Sequence, residues 1–240
     1  MMLRIILFAF LTLAGMNSAL AADRALVNLL GYSADGRYFA FEEYGVHDGS
    51  GAPYAAVTII DLTADQKDRL AYFDEKGGED DLLPPIRAKA MAKAAAKLKA
   101  LKVTEPAQYV SMVGDGVAGA DGFNLRFGAP GSGPIGEVFG DQLLKLEVLD
   151  TSDKTGCFEP DDNQAKGLAL SVVTTDDQRQ VFSDSVDAPP AWRLCPLDYR
   201  LYAVVLPYNG DITQAVALIS LYTAGWEGMD RSFLAIPVGK

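Results

Sequence analysis

Hydrophobic and polar residues follow two different periods along this chain. Over most of its length, apolar residues alternate with polar ones in short runs, a pattern typical of strands that present one face to a core. One segment, residues 85–102, instead repeats apolar residues every three or four positions and contains no glycine. The pattern predicts a mainly β fold of antiparallel meanders, sandwich-like in arrangement, with one inserted α-helix.

The strongest local signal is a hairpin near the start of the chain. Asp35-Gly36 suits a tight turn, because glycine tolerates the positive φ that such turns require. After the turn, Phe39 and Phe41 fall on one face of the predicted strand and Glu42 falls on the other. Further strands are predicted at residues 25–30, 54–62, 108–113, 123–127, 142–149, 168–174, 180–183, 199–206, 215–222 and 232–236.

The helical segment has an apolar face and a basic face. The apolar stripe consists of Met91, Ala94, Leu98 and Leu101. Three lysines, which we call the lysine face, recur every four residues at Lys89, Lys93 and Lys97. This face either docks an acidic partner, such as an envelope protein, or is a solvated face, which can also lie opposite acidic patches of its own molecule. The acidic, Gly-containing stretch at residues 74–81 is interpreted as a surface linker before the helix.

The start of the chain has the pattern of a secretory signal peptide, which predicts where the protein goes. Arg4 precedes a short apolar run, and Ala19 and Ala21 form the small pair before the expected cleavage, so residues 1–21 are the predicted leader. We therefore expect a soluble periplasmic or secreted protein with no membrane span after cleavage. Residues 22–240 are expected to form a single β-rich domain, with a possible sub-boundary near residues 75–105.

Charge and cysteine content narrow the function classes. Removing Arg4 with the leader leaves 20 basic residues against 32 acidic ones, a net charge of −12. This surface argues against nucleic acid as a partner. Cys157 and Cys195 both lie in the exported part, and such a pair predicts a disulfide. The pair lacks the C-x-x-C spacing of redox-active sites.

No constellation predicts catalytic, cofactor-binding or metal-binding residues. Residues 114–119 match the spacing of the dinucleotide fingerprint, but a strand rather than a helix is predicted next, which favours a Gly-rich turn. His47 is the only histidine, no G-x-S-x-G elbow is present, and we expect an exposed loop histidine. The best calcium candidates do not match the EF-hand pattern and are Glu159, Asp161, Asp162 and Asn163.

The two ends of the chain carry a resemblance. The stretches GYSADGRYFAFEEYG at residues 31–45 and LISLYTAGWEGMDRSFLAIP at residues 218–237 together resemble a family of predicted secreted bacterial proteins of unknown function. The resemblance implies export and brings no activity and no catalytic residues. The first stretch also resembles a blade motif of propellers related to the Tol-system periplasmic protein. That second resemblance implies a partial β-propeller as the alternative fold.

The same two stretches supply a candidate structural or binding cluster. We expect the hairpin to face the C-terminal turn, so that Arg37 pairs with acidic residues of that turn. The members of the expected cluster are Arg37, Glu42, Glu43, Trp226, Glu227, Asp230 and Arg231. Glu42 and Glu43 should point to opposite faces of one strand, so they cannot act as a pair across one bond.

The leading functional hypothesis is a periplasmic binding or interaction protein without catalysis of its own. One alternative is a hydrolase that uses carboxylates around the two end motifs. Another is an envelope structural partner that uses the lysine face.

Overall fold

The computed structural model describes residues 22–63, 69–152, 157, 164–185, 187–225 and 228–239. Within these ranges the chain forms three antiparallel sheets and one α-helix. The prediction of a mainly β fold with one inserted helix is confirmed. The calcium candidates, Trp226, Glu227 and the predicted leader lie outside the described residues.

The N-terminal sheet consists of five antiparallel strands. The predicted hairpin joins its first two strands, and Gly36 in the turn has a φ of +67°. Asp35 fixes the turn by accepting hydrogen bonds from the Ser33 hydroxyl (2.6 Å) and the Arg37 backbone N–H (3.1 Å). The five strands are β1 (Leu26–Ser33), β2 (Tyr38–Val46), β3 (Pro53–Asp61), β4 (Ala71–Lys76) and β5 (Val103–Glu105). They lie side by side in the order β4-β3-β2-β1-β5.

The helix α1 (Leu83–Ala100) covers one face of the N-terminal sheet. Two prolines stand in its first turn, where the missing backbone N–H groups would have no partner within the helix. Ile86, Ala90 and Ala94 are buried. The predicted stripe is confirmed, because Met91, Leu98 and Leu101 pack with Ala94 against Val57 and Ile59 of β3.

The central sheet and the outer sheet each have four strands. The central sheet contains β6 (Ala107–Met112), β11 (Pro196–Pro207), β12 (Val216–Ala224) and β13 (Met229–Pro237), in the order β13-β12-β11-β6. The outer sheet contains β7 (Asn124–Pro130), β8 (Val138–Asp150), β9 (Lys166–Val173) and β10 (Gln178–Ser183), in the order β10-β9-β8-β7. Single turns of 3-10 helix lie at Ala191–Arg193 and Ile212–Gln214.

The central sheet lies between the other two and buries both of its faces. Val205, Leu218 and Phe233 pack against Phe39 and Phe41 of the N-terminal sheet. The opposite face packs against the outer sheet in a second core, with members Leu144, Leu168, Leu170, Leu201, Val204, Ile219 and Leu234. The propeller-like alternative is not confirmed, since the three sheets face one another across two cores.

Two short strands were missed by the sequence prediction. β4 overlaps the stretch interpreted as a linker at residues 74–76, and its alternate residues, among them Tyr72 and Asp74, are exposed. β4 is an edge strand, and edge strands carry charge that hides their β character in the sequence. β5 begins directly after the segment predicted as a helix, which extended to residue 102. The helix ends at Ala100, and Lys102 has a φ of +52°.

Candidate functional site: an arginine-lined groove

A groove opens on the face of the central sheet that the N-terminal sheet covers elsewhere. Along β13, Phe233 is buried in the core between these two sheets. Side chains two residues apart share a face of a strand, so Arg231 and Met229 continue that face beyond Phe233. Both line the groove. On β11, Tyr199 and Leu201 point into the core with the outer sheet, which leaves Arg200 facing the groove.

The groove consists of two adjoining cavities of about 280 and 300 Å³. Both are lined by Arg24, Arg200, Tyr222 and Met229. The Gly-rich loop between β6 and β7 forms one wall of the cavity of about 280 Å³ and contributes Asp115. We call this feature the arginine groove. Its other lining residues include Ala22, Gly114, Val117, Gly122, Asp198, Tyr202, Ser220 and Arg231.

The segment at residues 22–25 runs beside β13 and brings Arg24 to the groove. The Arg231 backbone N–H donates to the Asp23 carbonyl (2.8 Å), and the Ala25 N–H donates to the Arg231 carbonyl (3.2 Å). Asp230 accepts a hydrogen bond from the Asp23 backbone N–H (2.9 Å). Arg24 is exposed, and its side chain has no ion-pair partner among the residues the structure describes.

Arg231 is the most buried charge in the groove, with a side chain only 4% exposed. Its Nη1 forms an ion pair with Asp115, and its Nη2 donates to the Ala25 carbonyl (2.8 Å). Its buried Nε has no hydrogen-bond partner within the described part of the chain. A guanidinium offers five N–H donors in a fixed fork, so Arg231 retains unused donor capacity at the groove wall.

The groove is locally positive in an acidic protein. Arg200 pairs with Asp198, donates to the Tyr199 carbonyl (2.8 Å) and lies over the Phe123 ring at 4.2 Å. Three arginines therefore line the two cavities with two aspartates, a local excess of one positive charge. The whole chain carries a formal net charge of −11.

Next to the groove, Glu43 joins two sheets. Its Oε1 accepts a hydrogen bond from the Phe233 backbone N–H at 2.7 Å. Glu43 is 5% exposed, and burial raises its pKa to about 7, while the charge of Arg69 and the Phe233 N–H act in the opposite direction. Glu43 does not line either cavity of the groove. Its contacts indicate a structural role.

The expected cluster of end-motif residues is divided between several places. Arg37 donates to the Asp61 carboxylate from Nε (3.1 Å) and Nη2 (2.8 Å), which corrects its expected pairing with the C-terminal turn. Glu42 accepts two hydrogen bonds from Arg87 of α1, at 2.8 and 2.6 Å. Glu42 and Glu43 do point to opposite faces of β2, as predicted. Of the cluster members with described side chains, Asp230 and Arg231 belong to β13, and Glu43 contacts that strand.

His47 lies in the loop between β2 and β3 and contacts the segment at residues 22–25. Its Nδ1 lies at hydrogen-bond distance from the Asp23 carboxylate, and its ring packs on the Tyr54 ring, with ring centroids 4.5 Å apart. The Asp48 backbone N–H donates to the same carboxylate at 2.7 Å. The His47 side chain is 37% exposed, which agrees with the expected exposed loop histidine, and the segment at residues 22–25 folds back beside it.

Three other sequence interpretations find a direct counterpart in the structure. Cys157 and Cys195 are at disulfide distance, with Cα atoms 4.9 Å apart. The Gly-rich motif at residues 114–119 is followed by β7 and not by a helix. Lys93 of the lysine face pairs with Glu75 at 2.5 Å, which favours the interpretation that this face meets acidic groups of its own molecule. In the described ranges, no group of three or more His, Cys, Asp or Glu residues is arranged to hold a metal ion.

Sequence reasoning missed the groove residues Arg24, Asp115 and Arg200. They stand on three segments far apart in the chain, and neither Arg24 nor Arg200 belongs to a motif with a fixed spacing. The one signal in the sequence was Asp115, which follows the first glycine of the Gly-rich stretch at residues 114–119.

A protein-family comparison covers most of the chain. The family described as "Predicted secreted protein (DUF2259)" matches residues 40–239. The chain belongs to this family. DUF2259 has no established function, so membership supports secretion and assigns no activity. The matched range includes Asp115, Arg200 and Arg231 but begins after Arg24 and Arg37.

Other comparisons add no further relative. No curated protein and no solved structure matches the chain. Among the described residues, no helix has both the length and the apolar character needed to cross a membrane.

Proposed function

We propose that this protein is exported to the periplasm or beyond and there binds a small molecule in the arginine groove, without catalysis of its own. The observation that carries the proposal is Arg231, whose buried Nε faces no partner while the side chain lines a cavity of about 280 Å³. Ligand sites are typically clefts of this order with a few convergent polar groups.

The contacts of the nominated carboxylates favour binding over the hydrolase alternative. Glu42 is held by Arg87, Glu43 by the Phe233 N–H, and Asp230 by the Asp23 N–H. Each carboxylate thus satisfies a contact that joins two elements, and none of the three lines the groove. The lysine face supports no second proposal, since Lys93 already pairs with Glu75.

Amide chemical shifts test the proposal directly. The ¹⁵N-labelled protein is titrated with a panel of small carboxylic acids, phosphate esters, neutral sugars and neutral amides. We expect at least one compound to shift the amides of residues 113–122, Arg200 and Arg231 in a saturable way. If no compound in the panel shifts these amides, the proposal fails.

A blocking variant and a matched control locate the binding. Met229 is half-exposed and lines both cavities, so Met229→Trp should fill the mouth of the groove and abolish the shifts. Val138 is similarly exposed at the start of β8 in the outer sheet. Val138→Trp adds the same ring away from the groove and should leave the affinity unchanged. Equal effects of both variants would contradict a site in the groove.

A further inference from the structure

We propose that the ligand of the arginine groove is a small acid, and that its carboxylate or phosphate group replaces Asp115 on Arg231. This inference rests on the proposed function and adds the chemical class of the ligand and a mechanism for opening the site. In the free protein, Asp115 stands in for the acidic group of the ligand.

The first argument is the state of the Arg231 guanidinium. Asp115 engages Nη1, the Ala25 carbonyl engages Nη2, and the buried Nε has no partner among the described residues. A carboxylate or phosphate can accept from two guanidinium nitrogens at once, and such paired, charge-assisted hydrogen bonds are stronger than single neutral ones. Nη1 and Nη2 share one edge of the guanidinium, so an acid in the place of Asp115 can accept from Nη1 and from the second N–H of Nη2, whereas Asp115 engages Nη1 alone.

The second argument is how loosely the segment that carries Asp115 is held. The Asp115 side chain is 46% exposed although its partner is buried. A Cβ added at Gly116 or Gly119 would meet no atom within 4 Å, so this part of the loop has open space around it. Moving Asp115 away from Arg231 therefore breaks few packing contacts of the loop.

The loop is held at both ends, and at the end near Asp115 the Val113 N–H donates to the Tyr202 carbonyl at 2.8 Å. A Cβ at Gly122 would collide with the Arg200 side chain, and the Gly122 carbonyl accepts from the Leu201 N–H at 2.7 Å. Between these two fixed ends the loop has open space around Gly116 and Gly119, into which Asp115 can move away from Arg231. Arg200 and the exposed Arg24 line both cavities and remain available to the rest of a bound acid.

Calorimetric titration with three probes tests the ligand class. Succinate, inorganic phosphate and the neutral diamide succinamide are titrated separately in Tris chloride buffer. We expect succinate or phosphate to bind and succinamide, which has the same carbon skeleton as succinate without its charge, not to bind. The ratio of the two acid affinities distinguishes a carboxylate site from a phosphate site.

Asp115→Asn tests the replacement mechanism. The variant removes the competing charge and keeps the side-chain shape, so we expect the affinity for the bound acid to rise roughly tenfold. Asp141→Asn is the matched control, because Asp141 is 45% exposed and pairs with Arg126 in the outer sheet. The control should leave the affinity unchanged. An Asp115→Asn variant with unchanged or weaker binding overturns the inference.

A second variant is needed because Arg231 also holds the Ala25 carbonyl and its replacement could unfold the protein. Arg200 is about one-third exposed, so Arg200→Gln should fold and weaken acid binding roughly tenfold. If a neutral compound from the panel binds in the groove while neither acid does, the acid inference fails and the proposed function stands. If nothing in the panel binds there, both fail.

Discussion

The carboxylate of Glu43 accepts a hydrogen bond from the backbone N–H of Phe233 at 2.7 Å, and this contact links β2 of the N-terminal sheet to β13 of the central sheet. The two residues are 190 positions apart in the chain. The contact places a carboxylate in a nearly water-free junction, so its protonation is coupled to the stability of the fold.

Glu43→Gln should therefore change how stability depends on pH. The pKa of Glu43 rises from its ordinary value of 4.5 to about 7 because burial disfavours the charged form. The folded state then binds the proton more tightly than the unfolded state, so the free energy of unfolding falls as pH rises from 4.5 to about 7. The decrease should be at most about 3 kcal/mol and should vanish in Glu43→Gln, which can still accept from Phe233.

Urea denaturation at several pH values measures this effect as the difference between the wild type and the variant. Glu147, an exposed strand glutamate of β8, provides the control as Glu147→Gln. A wild-type-minus-Glu43→Gln difference that stays constant over the window would show that Glu43 titrates normally.

Arg87→Met should destabilise the docking of α1 on the N-terminal sheet. Arg87 forms two hydrogen bonds with the buried Glu42 and lies over the Tyr44 ring at 3.7 Å. Its loss leaves an unpaired buried carboxylate, and we expect a decrease of about 2 kcal/mol in the free energy of unfolding, moderated because Arg87 is partly exposed. Lys99→Met, on an exposed position of the same helix, should have little effect. Equal losses in both variants would argue against the pair.

Double-mutant cycles should show which carboxylate Arg37 serves. Arg37 donates two hydrogen bonds to Asp61, and these hold the pKa of that carboxyl below its usual range. We expect measurable coupling between Arg37→Gln and Asp61→Asn, and none between Arg37→Gln and Asp230→Asn. The reverse result would restore the adjacency that the sequence suggested. Chemical denaturation of the four proteins in each cycle provides the data.

Removing the disulfide should lower stability without changing the sheets. Cys157 and Cys195 enclose a loop with a sequence separation of 38, for which chain entropy predicts at most about 4 kcal/mol. The double variant Cys157→Ser/Cys195→Ser should therefore unfold at lower urea concentration and keep its far-UV circular dichroism. Wild-type protein treated with reductant should match it, and an undiminished midpoint in both would show that no disulfide forms.

The proposal that residues 22–240 form one domain predicts a single unfolding transition. Adjacent residues of β12 face the two different cores, Leu218 toward the N-terminal sheet and Ile219 toward the outer sheet. Leu218→Ala and Ile219→Ala should each shift the whole transition, by roughly 2–5 kcal/mol. Circular dichroism and tryptophan fluorescence should report the same midpoint. Two separate transitions, each sensitive to one variant, would indicate independent units.

Local signals in the sequence predicted most of the elements. The Asp35-Gly36 turn, the alternation around Phe39 and Phe41, and the apolar stripe of α1 each depend on residues close together in the chain. β4 escaped because its exposed edge face carries charge, and β5 because the helical period gave no stop before Lys102. For the candidate site, the sequence indicated Arg231 but neither Asp115 nor Arg200.

By itself, the sequence determined the class of fold, the opposite orientations of Glu42 and Glu43, and the expected cysteine pair. These follow from side-chain period, turn chemistry and residue type, which are local or compositional properties. Only the tertiary structure decided that Arg231 meets Asp115, 116 positions away, in a groove that Arg24 and Arg200 also line. The physical reason is that sheet stacking sets such pairings, and no spacing along the chain encodes which strand ends will share a face.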